Sequence, residues 1–244
     1  MSLRGNIKSG LLWAGSILCH NHQSKLLYYH DVFASAKYTD MGTPLSLFKQ
    51  HVAVIREEGY AIVPRIKNPE REVALLFDDG FRGIYDVRQY FYDEGICPTI
   101  FLAVSLIGKP GYLNEEEIME LQSHGFIFES HGWSHEDMTT FDRKGLHHEL
   151  NDARSQLSDL LQKDVRELCL PIGYFSDEVI KMAHEAGYTT IYSSIPGNYY
   201  QQVHGSLRTR NLLQYATAKQ VRYILRGGNE LISGRYEWMH YKQA

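Results

Sequence analysis

Residues 74–83, ALLFDDGFRG, end an apolar run on two adjacent carboxylates and turn at once through a glycine. Asp and Gly dominate turns, so Asp78-Asp79-Gly80 alone would only close the strand that VALLF (73–77) predicts. Its position says more. The pair follows a buried strand and precedes a helical pattern, the edge where α/β folds collect catalytic side chains. Adjacent side chains of an extended strand face opposite ways, but a turn at Gly80 lets both carboxylates approach one pocket.

Outward from this stretch the chain repeats the same strand-then-helix order. KLLYY (25–29) reads as a strand, and Thr43-Pro44 opens a helix whose apolar face is Leu45, Phe48, Val52 and Ile55, closed by Gly59. YAIV (60–63) and VALLF follow as strands. Ile84, Val87 and Phe91 lie at helical spacing before Gly95 and the buried-strand pattern TIFLAV (99–104). Asn114 and Glu117 make a capping-box pattern, FIFES (126–130) is a strand, and Leu146, Leu150, Ala153, Leu157 and Leu160 predict a helix over 145–163. ELCL (167–170), a helix from Ser176 to Gly187, TTIYS (189–193) and a helix from Thr217 to Gly227-Gly228 complete roughly seven βα-like units. One α/β domain over 1–244 with a largely parallel sheet is expected, and a barrel-like closure is compatible with it.

Composition narrows the function classes. Hydrophobic residues make up 43% and charged residues 22%, the balance of a folded chain with a full core. The formal charge is −4, and no Lys/Arg cluster is long enough to track a phosphate backbone, so nucleic acid is not an expected partner. Cys19, Cys97 and Cys169 are odd in number and far apart, which indicates neither a disulfide framework nor a thiolate zinc site. GLLWAGSILC (10–19), preceded by Arg4 and Lys8, has the outline of a secretory signal. It is short, however, and the polar CHNHQSK follows in place of a small-x-small cleavage site. Residues 1–24 are therefore expected to form an accessory helix on the domain, with a cytoplasmic or membrane-peripheral location. No other segment approaches the ~18 apolar residues of a membrane span.

The second stretch with chemistry is SHGWSHEDM (130–138), where His131 and His135 stand four apart directly after a predicted strand. On a helical turn such a pair puts both imidazoles on one side, and with one carboxylate they make a three-ligand metal site open to water and substrate. If Asp79 joins them, Asp78 remains as a general base beside the site. Two histidines and a carboxylate suit zinc, and also cobalt, nickel or iron. Amide hydrolysis further needs an acid for the departing nitrogen; His30, just past the strand in LLYYHDV (26–32), is the first choice, and His240 in EWMHY (237–241) competes with it. In LCLPIGYFSDE (168–178), Pro171 and Tyr174 are candidates for one pocket wall, with backbone N–H groups there as an oxyanion site. Trp133, Tyr199 and Tyr200 are candidates to stack on sugar faces.

LFDDG, HGWSH and LCLPIGY, in this order within residues 73–195, resemble the three successive motifs of the polysaccharide deacetylases of the NodB-homology group, carbohydrate esterase family 4. The resemblance implies a distorted (β/α)7 barrel, Asp78 as base, Asp79, His131 and His135 as ligands of a divalent metal, and hydrolysis of the N-acetyl group of an N-acetylhexosamine unit in a glycan or its precursor. The chain departs from the common pattern in three places. Cys169 stands where the third motif usually has an arginine, Gly132 replaces a Ser or Thr, and no Asp-x-x-Asp-Trp motif follows. These departures resemble the branch of biofilm poly-N-acetylglucosamine deacetylases, in which an N-terminal Tyr-His motif, here ending at His30, supplies the acid. Arg210, in LRTRNL (207–212), is the candidate to replace the missing arginine electrostatically. An O-deacetylase and a glycan-binding protein on the same scaffold are the alternatives.

Overall fold

The computed structural model describes residues 3–242. Helix α1 (Leu3–Leu18) precedes the first strand, β1 (Lys25–Tyr29). A short pair, β2 (Asp31–Phe33) and β3 (Gly42–Pro44), leads into α2 (Leu45–Glu57), β4 (Ala61–Ile62) and β5 (Glu72–Phe77). Next come α3 (Gly83–Asp86), α4 (Arg88–Glu94), β6 (Thr99–Leu102), α5 (Glu115–Ser123) and β7 (Ile127–Ser130). α6 (Arg143–His147), α7 (Ala153–Leu161), β8 (Glu167–Cys169), α8 (Asp177–Glu185) and β9 (Thr190–Tyr192) continue the alternation. The chain ends on three two-residue strands, β10 (Gln202–Val203), β11 (Leu207–Arg208) and β12 (Asn211–Leu212), then α9 (Ala218–Leu225) and α10 (Ser233–His240).

The main sheet runs β10-β11-β9-β8-β7-β6-β5-β1-β12, with β4 also paired to β5; its pairs are parallel except β10 with β11. No ladder joins β12 to β10, so the expected seven-unit barrel is a curled half-barrel with an open seam. The C-terminal segment stands beside that seam. Asn229 donates its amide to Asn211 Oδ1 (3.2 Å), Phe175 N–H donates to the His240 carbonyl (3.1 Å), and Lys242 N–H donates to the Phe175 carbonyl (2.8 Å).

Strand parity divides the core. Leu27, Tyr29, Val73, Leu75, Phe77, Ile100, Phe128, Leu168 and Ile191 pack in the cluster shared with the helices. Leu26, Tyr28, Ala74, Leu76, Phe101, Cys169 and Tyr192 form a second cluster inside the curl. Asp78 continues the inward parity of Ala74 and Leu76, so the first carboxylate of ALLFDDG points into the half-barrel. The β1–β5 register, Tyr29 opposite Phe77, brings His30 and Asp78 side by side at the strand ends.

Local signals explain most boundaries. Both halves of the Asn114/Glu117 capping box form, as do those of a second box at Thr217/Gln220. The helix expected through Ile84–Phe91 breaks at Val87 (φ −106°, ψ 13°), and Gly95 ends it in the left-handed region. The 145–163 helix starts earlier, at Arg143 after the Asp142 cap, and contains a π-helical turn over His148–Asp152. Within α1, Leu12 is buried and Gly15 meets Gly228, where a Cβ would lie 2.4 Å from the carbonyl oxygen. No helix among the described residues is long and apolar enough to cross a membrane.

Candidate active site

Asp78 is buried at the end of β5 and is gripped by Arg210, whose Nη1 and Nη2 donate to Oδ1 and Oδ2 at 2.6 and 3.0 Å. Arg210 Nε donates to the Ser193 carbonyl (2.8 Å), and the guanidinium lies 4.2 Å from the Tyr28 ring centroid. The Cys169 thiol stands 3.7 Å from Asp78 Oδ1. Thus the guanidinium expected on β8 arrives instead from the residue before β12, and a small thiol leaves it room. Burial opposes ionisation of Asp78, but the Arg210 guanidinium outweighs it and holds the carboxyl below its usual range. Burial pushes the Cys169 thiol well up, with the neighbouring carboxylates adding to it, so it stays protonated.

Asp79 turns out of the strand in the left-handed region (φ 72°), followed by Gly80 (φ 77°). Its Oδ1 lies 2.8 Å from His135 Nε2 and 3.2 Å from His131 Nε2. Neither approach has hydrogen-bond geometry, which leaves a buried carboxylate oxygen without a partner. His131 Nδ1 lies 2.7 Å from the Cys169 carbonyl, to which only a protonated nitrogen can donate, so Nε2 keeps its lone pair. Asp79, His131 and His135 offer ligand atoms all within 4.8 Å of one another. One carboxylate oxygen and two imidazole nitrogens converging on a common point, with the oxygen otherwise orphaned, fit a divalent cation.

The loop between the histidines is not the expected helical turn. It is an irregular bend in which Gly132 (φ 77°) and His135 (φ 65°) take left-handed backbone. Buried Glu149, on the π-helical turn, organises it: Oε2 accepts from the N–H groups of Trp133 and Ser134, each at 3.0 Å. A Cβ on Gly132 would sit 2.5 Å from Met138 Cε and 3.2 Å from Glu149 Oε2, which accounts for glycine where Ser or Thr is usual. Glu149 escaped the sequence reading, because its only signal is an acid beside Leu150 on an otherwise apolar stripe.

A cavity of about 530 Å³ opens over these groups, lined by Asp78, His131, His135 and Arg210 and also by His30 and His240. His30 Nδ1 meets Gln214 Oε1 at 2.5 Å, while His240 Nδ1 meets the Tyr236 carbonyl of its own helix at 2.7 Å. Pro171 and Tyr174 do not line the cavity, but their neighbours Leu170 and Ile172 do. The reason is a tight turn over Pro171–Gly173 with Ile172 at φ 60°, which turns Tyr174 against His240 (5.6 Å) and under the Lys242 ammonium (4.0 Å). The Gly173 N–H is committed to the Leu170 carbonyl (3.2 Å). Trp133 also lies outside the lining, packed on His148 (4.4 Å). Tyr199 faces Arg208 (4.9 Å), and the Tyr200 hydroxyl donates to the Lys67 carbonyl (3.1 Å).

The family model described as polysaccharide deacetylase matches residues 65–191, just over half of the chain, a span that includes Asp78, Asp79, His131, His135 and Cys169. The chain belongs to the polysaccharide deacetylase family. Among curated relatives, YxkH of Bacillus subtilis (strain 168), named as a polysaccharide deacetylase, is 25% identical over 183 residues, 70% of this chain and 64% of its own length. A 30.6 kDa protein of Geobacillus stearothermophilus is 25% identical over 129 residues, 52% of this chain and 47% of its own. The chain thus spans less than two thirds of either relative. Similar folds include the Streptococcus pyogenes deacetylase PplD, solved with acetate (TM-score 0.73, 16% identity, 83% of this chain and 98% of that one). IcaB from Ammonifex degensii gives TM-score 0.70 at 16% identity, covering 85% and 98% of the two chains. A de-N-acetylase from Aggregatibacter actinomycetemcomitans gives 0.70 at 15%, covering 83% and 99%. At such identities the likeness is one of fold, and the deacetylase half-barrel is what they share.

Proposed function

We propose that this chain hydrolyses the N-acetyl group of an N-acetylhexosamine unit in a glycan or glycan precursor, with a divalent cation held by Asp79, His131 and His135. The observation that supports this most is the orphaned Asp79 oxygen facing two imidazole nitrogens, beside a carboxylate that Arg210 keeps ionised. The cation, zinc first and otherwise cobalt, nickel or iron, supplies Lewis-acid polarisation of the acyl carbonyl and a water of lowered pKa. Asp78 accepts the proton as the water oxygen bonds to the acyl carbon. The C–N bond then breaks, and His30, oriented through Nδ1 by Gln214, delivers a proton from Nε2 to the departing amine. His30 is favoured over His240 because it adjoins Asp78 in the strand register.

The test is acetate release from chitooligosaccharide and from acetylated xylan, with metal content measured on the same samples. Release from chitooligosaccharide is expected, and Asp78→Asn should lower it about 10²- to 10⁴-fold while the metal stays bound. Release from xylan alone would reassign the chain as an O-deacetylase. Metal near zero with sugar binding retained would make it a binding protein, and unchanged turnover in Asp78→Asn would overturn the mechanism.

A further inference from the structure

The two histidines that face Asp79 are held in different ways. His131 leaves β7 with its ring fixed by the Cys169 carbonyl (2.7 Å). His135 stands at the far end of the loop, in left-handed backbone (φ 65°) that a residue with a Cβ keeps only where its surroundings impose it. On one side the loop is pinned by its carbonyls: those of Gly132 and Trp133 accept from the N–H groups of Val104 (3.1 Å) and Ser105 (2.9 Å), just past β6. On the other side it is pinned by its N–H groups, since Trp133 and Ser134 both donate to Glu149 Oε2. Ser134 immediately precedes His135. Glu149 is 2% exposed and enters no ion pair among the described residues, whereas buried Glu129 is matched by Lys163 and Arg65. A carboxylate is costly to bury, and here the charge-assisted bonds that offset the cost all run to one loop.

We propose that Glu149 is a positioning residue for the cation site: by fixing the Trp133–Ser134 backbone it sets where His135 Nε2 stands against Asp79 Oδ1 (2.8 Å), and so how tightly the metal is held. This rests on the metal-dependent reading above. Without the carboxylate the loop keeps its carbonyl bonds to Val104 and Ser105 but loses both N–H ties beside His135. His131 keeps its own anchor on the Cys169 carbonyl. The site then has two fixed ligands and one mobile one, and loss of a group that orients a ligand lowers metal affinity about 10- to 100-fold.

Zinc Kd is measured on the full chain by competition with a chromophoric chelator, and the metal-free unfolding midpoint shows which variants fold. Glu149→Ala should weaken zinc binding about tenfold or more. If that variant does not fold, Glu149→Gln, which keeps an acceptor but not the charge, takes its place and should weaken binding about threefold or more. Glu72 supplies the control: it is buried at the other end of β5, and its Oε2 likewise accepts from two consecutive backbone N–H groups, those of Lys67 (2.6 Å) and Asn68 (2.9 Å). The matching substitution there disturbs a loop in the same way but away from the histidines, and should leave Kd within about twofold of the wild type. A smaller loss at Glu149 than these, or an equal loss at Glu72, overturns the proposal. If the wild type binds zinc and the Glu149 variant binds it equally well, only this inference falls; if the wild type binds no zinc, the metal-dependent reading falls with it.

Discussion

Two pairs of carboxylates lie inside the half-barrel, one pleat apart, and they are treated differently. In the lower layer Glu129 Oε1 accepts from Lys163 (2.9 Å) and Arg65 (3.4 Å), and Oε2 accepts from the backbone N–H groups of Arg166 and Glu167 at 3.0 Å each. Glu167 accepts from the Tyr192 hydroxyl (2.9 Å) and pairs with Arg65. In the upper layer Asp78 is equally well matched by Arg210, but Asp79 keeps an oxygen that no protein group satisfies. Buried acceptors are ordinarily paired, and the open one in the upper layer is the oxygen that faces His131 and His135.

The contrast can be broken most directly at Arg210. Arg210→Met leaves Asp78 an uncompensated charge in a fully buried site and should cost about 3–5 kcal/mol in urea denaturation. Lys163→Met in the lower layer, where the lysine is 30% exposed and Glu129 keeps three other donors, should cost about 1 kcal/mol or less. Equal losses would mean that the two layers are not energetically distinct.

A further buried carboxylate, Asp31, tests the same idea through pH. Its Oδ2 has no partner although Oδ1 accepts from Val32 N–H (2.9 Å), and burial pushes its carboxyl up to about 7 from an ordinary 3.8. The folded chain therefore binds this proton more tightly than the unfolded one. Stability from this group falls as pH rises from about 4 to about 7 and is level above that. Asp31→Asn should flatten the slope and be more stable at pH 8 by roughly 2–4 kcal/mol; an unchanged slope would sink the assignment.

Metal response sharpens the comparison further. Added zinc should raise the unfolding midpoint of the wild type and of Glu129→Gln, but not of Asp79→Asn. Glu129→Gln should instead lower the metal-free baseline by about 1–3 kcal/mol, because its amide nitrogen would face donors. A modest effect is also expected of Gly132→Ser, which restores the residue type common in related motifs. At φ 77° and with Met138 Cε 2.5 Å from the new Cβ, it should lose about 1–2 kcal/mol by thermal denaturation instead of gaining activity.

Asp78, Asp79, His131 and His135 were legible as a group because each lies just past a strand whose apolar run is unmistakable, and parity then sends Asp78 inward. Arg210 was legible as an electrostatic stand-in for the missing arginine, but not as a bidentate partner of Asp78. The strand behind it has two residues, too few to show any period. Glu149 and α10 were missed because their roles depend on contacts between distant segments, a π-turn against a loop and a helix against an open seam. Trp133 and Tyr174 sit beside the motifs and read as sugar platforms, yet tight turns swing both rings away from the cavity.

The pairing of Asp78 with a residue 132 positions later has a consequence for biosynthesis. Strands β6 to β11 lie between the two residues in the chain, so Asp78 gains its guanidinium partner only after most of the parallel sheet between them has been made.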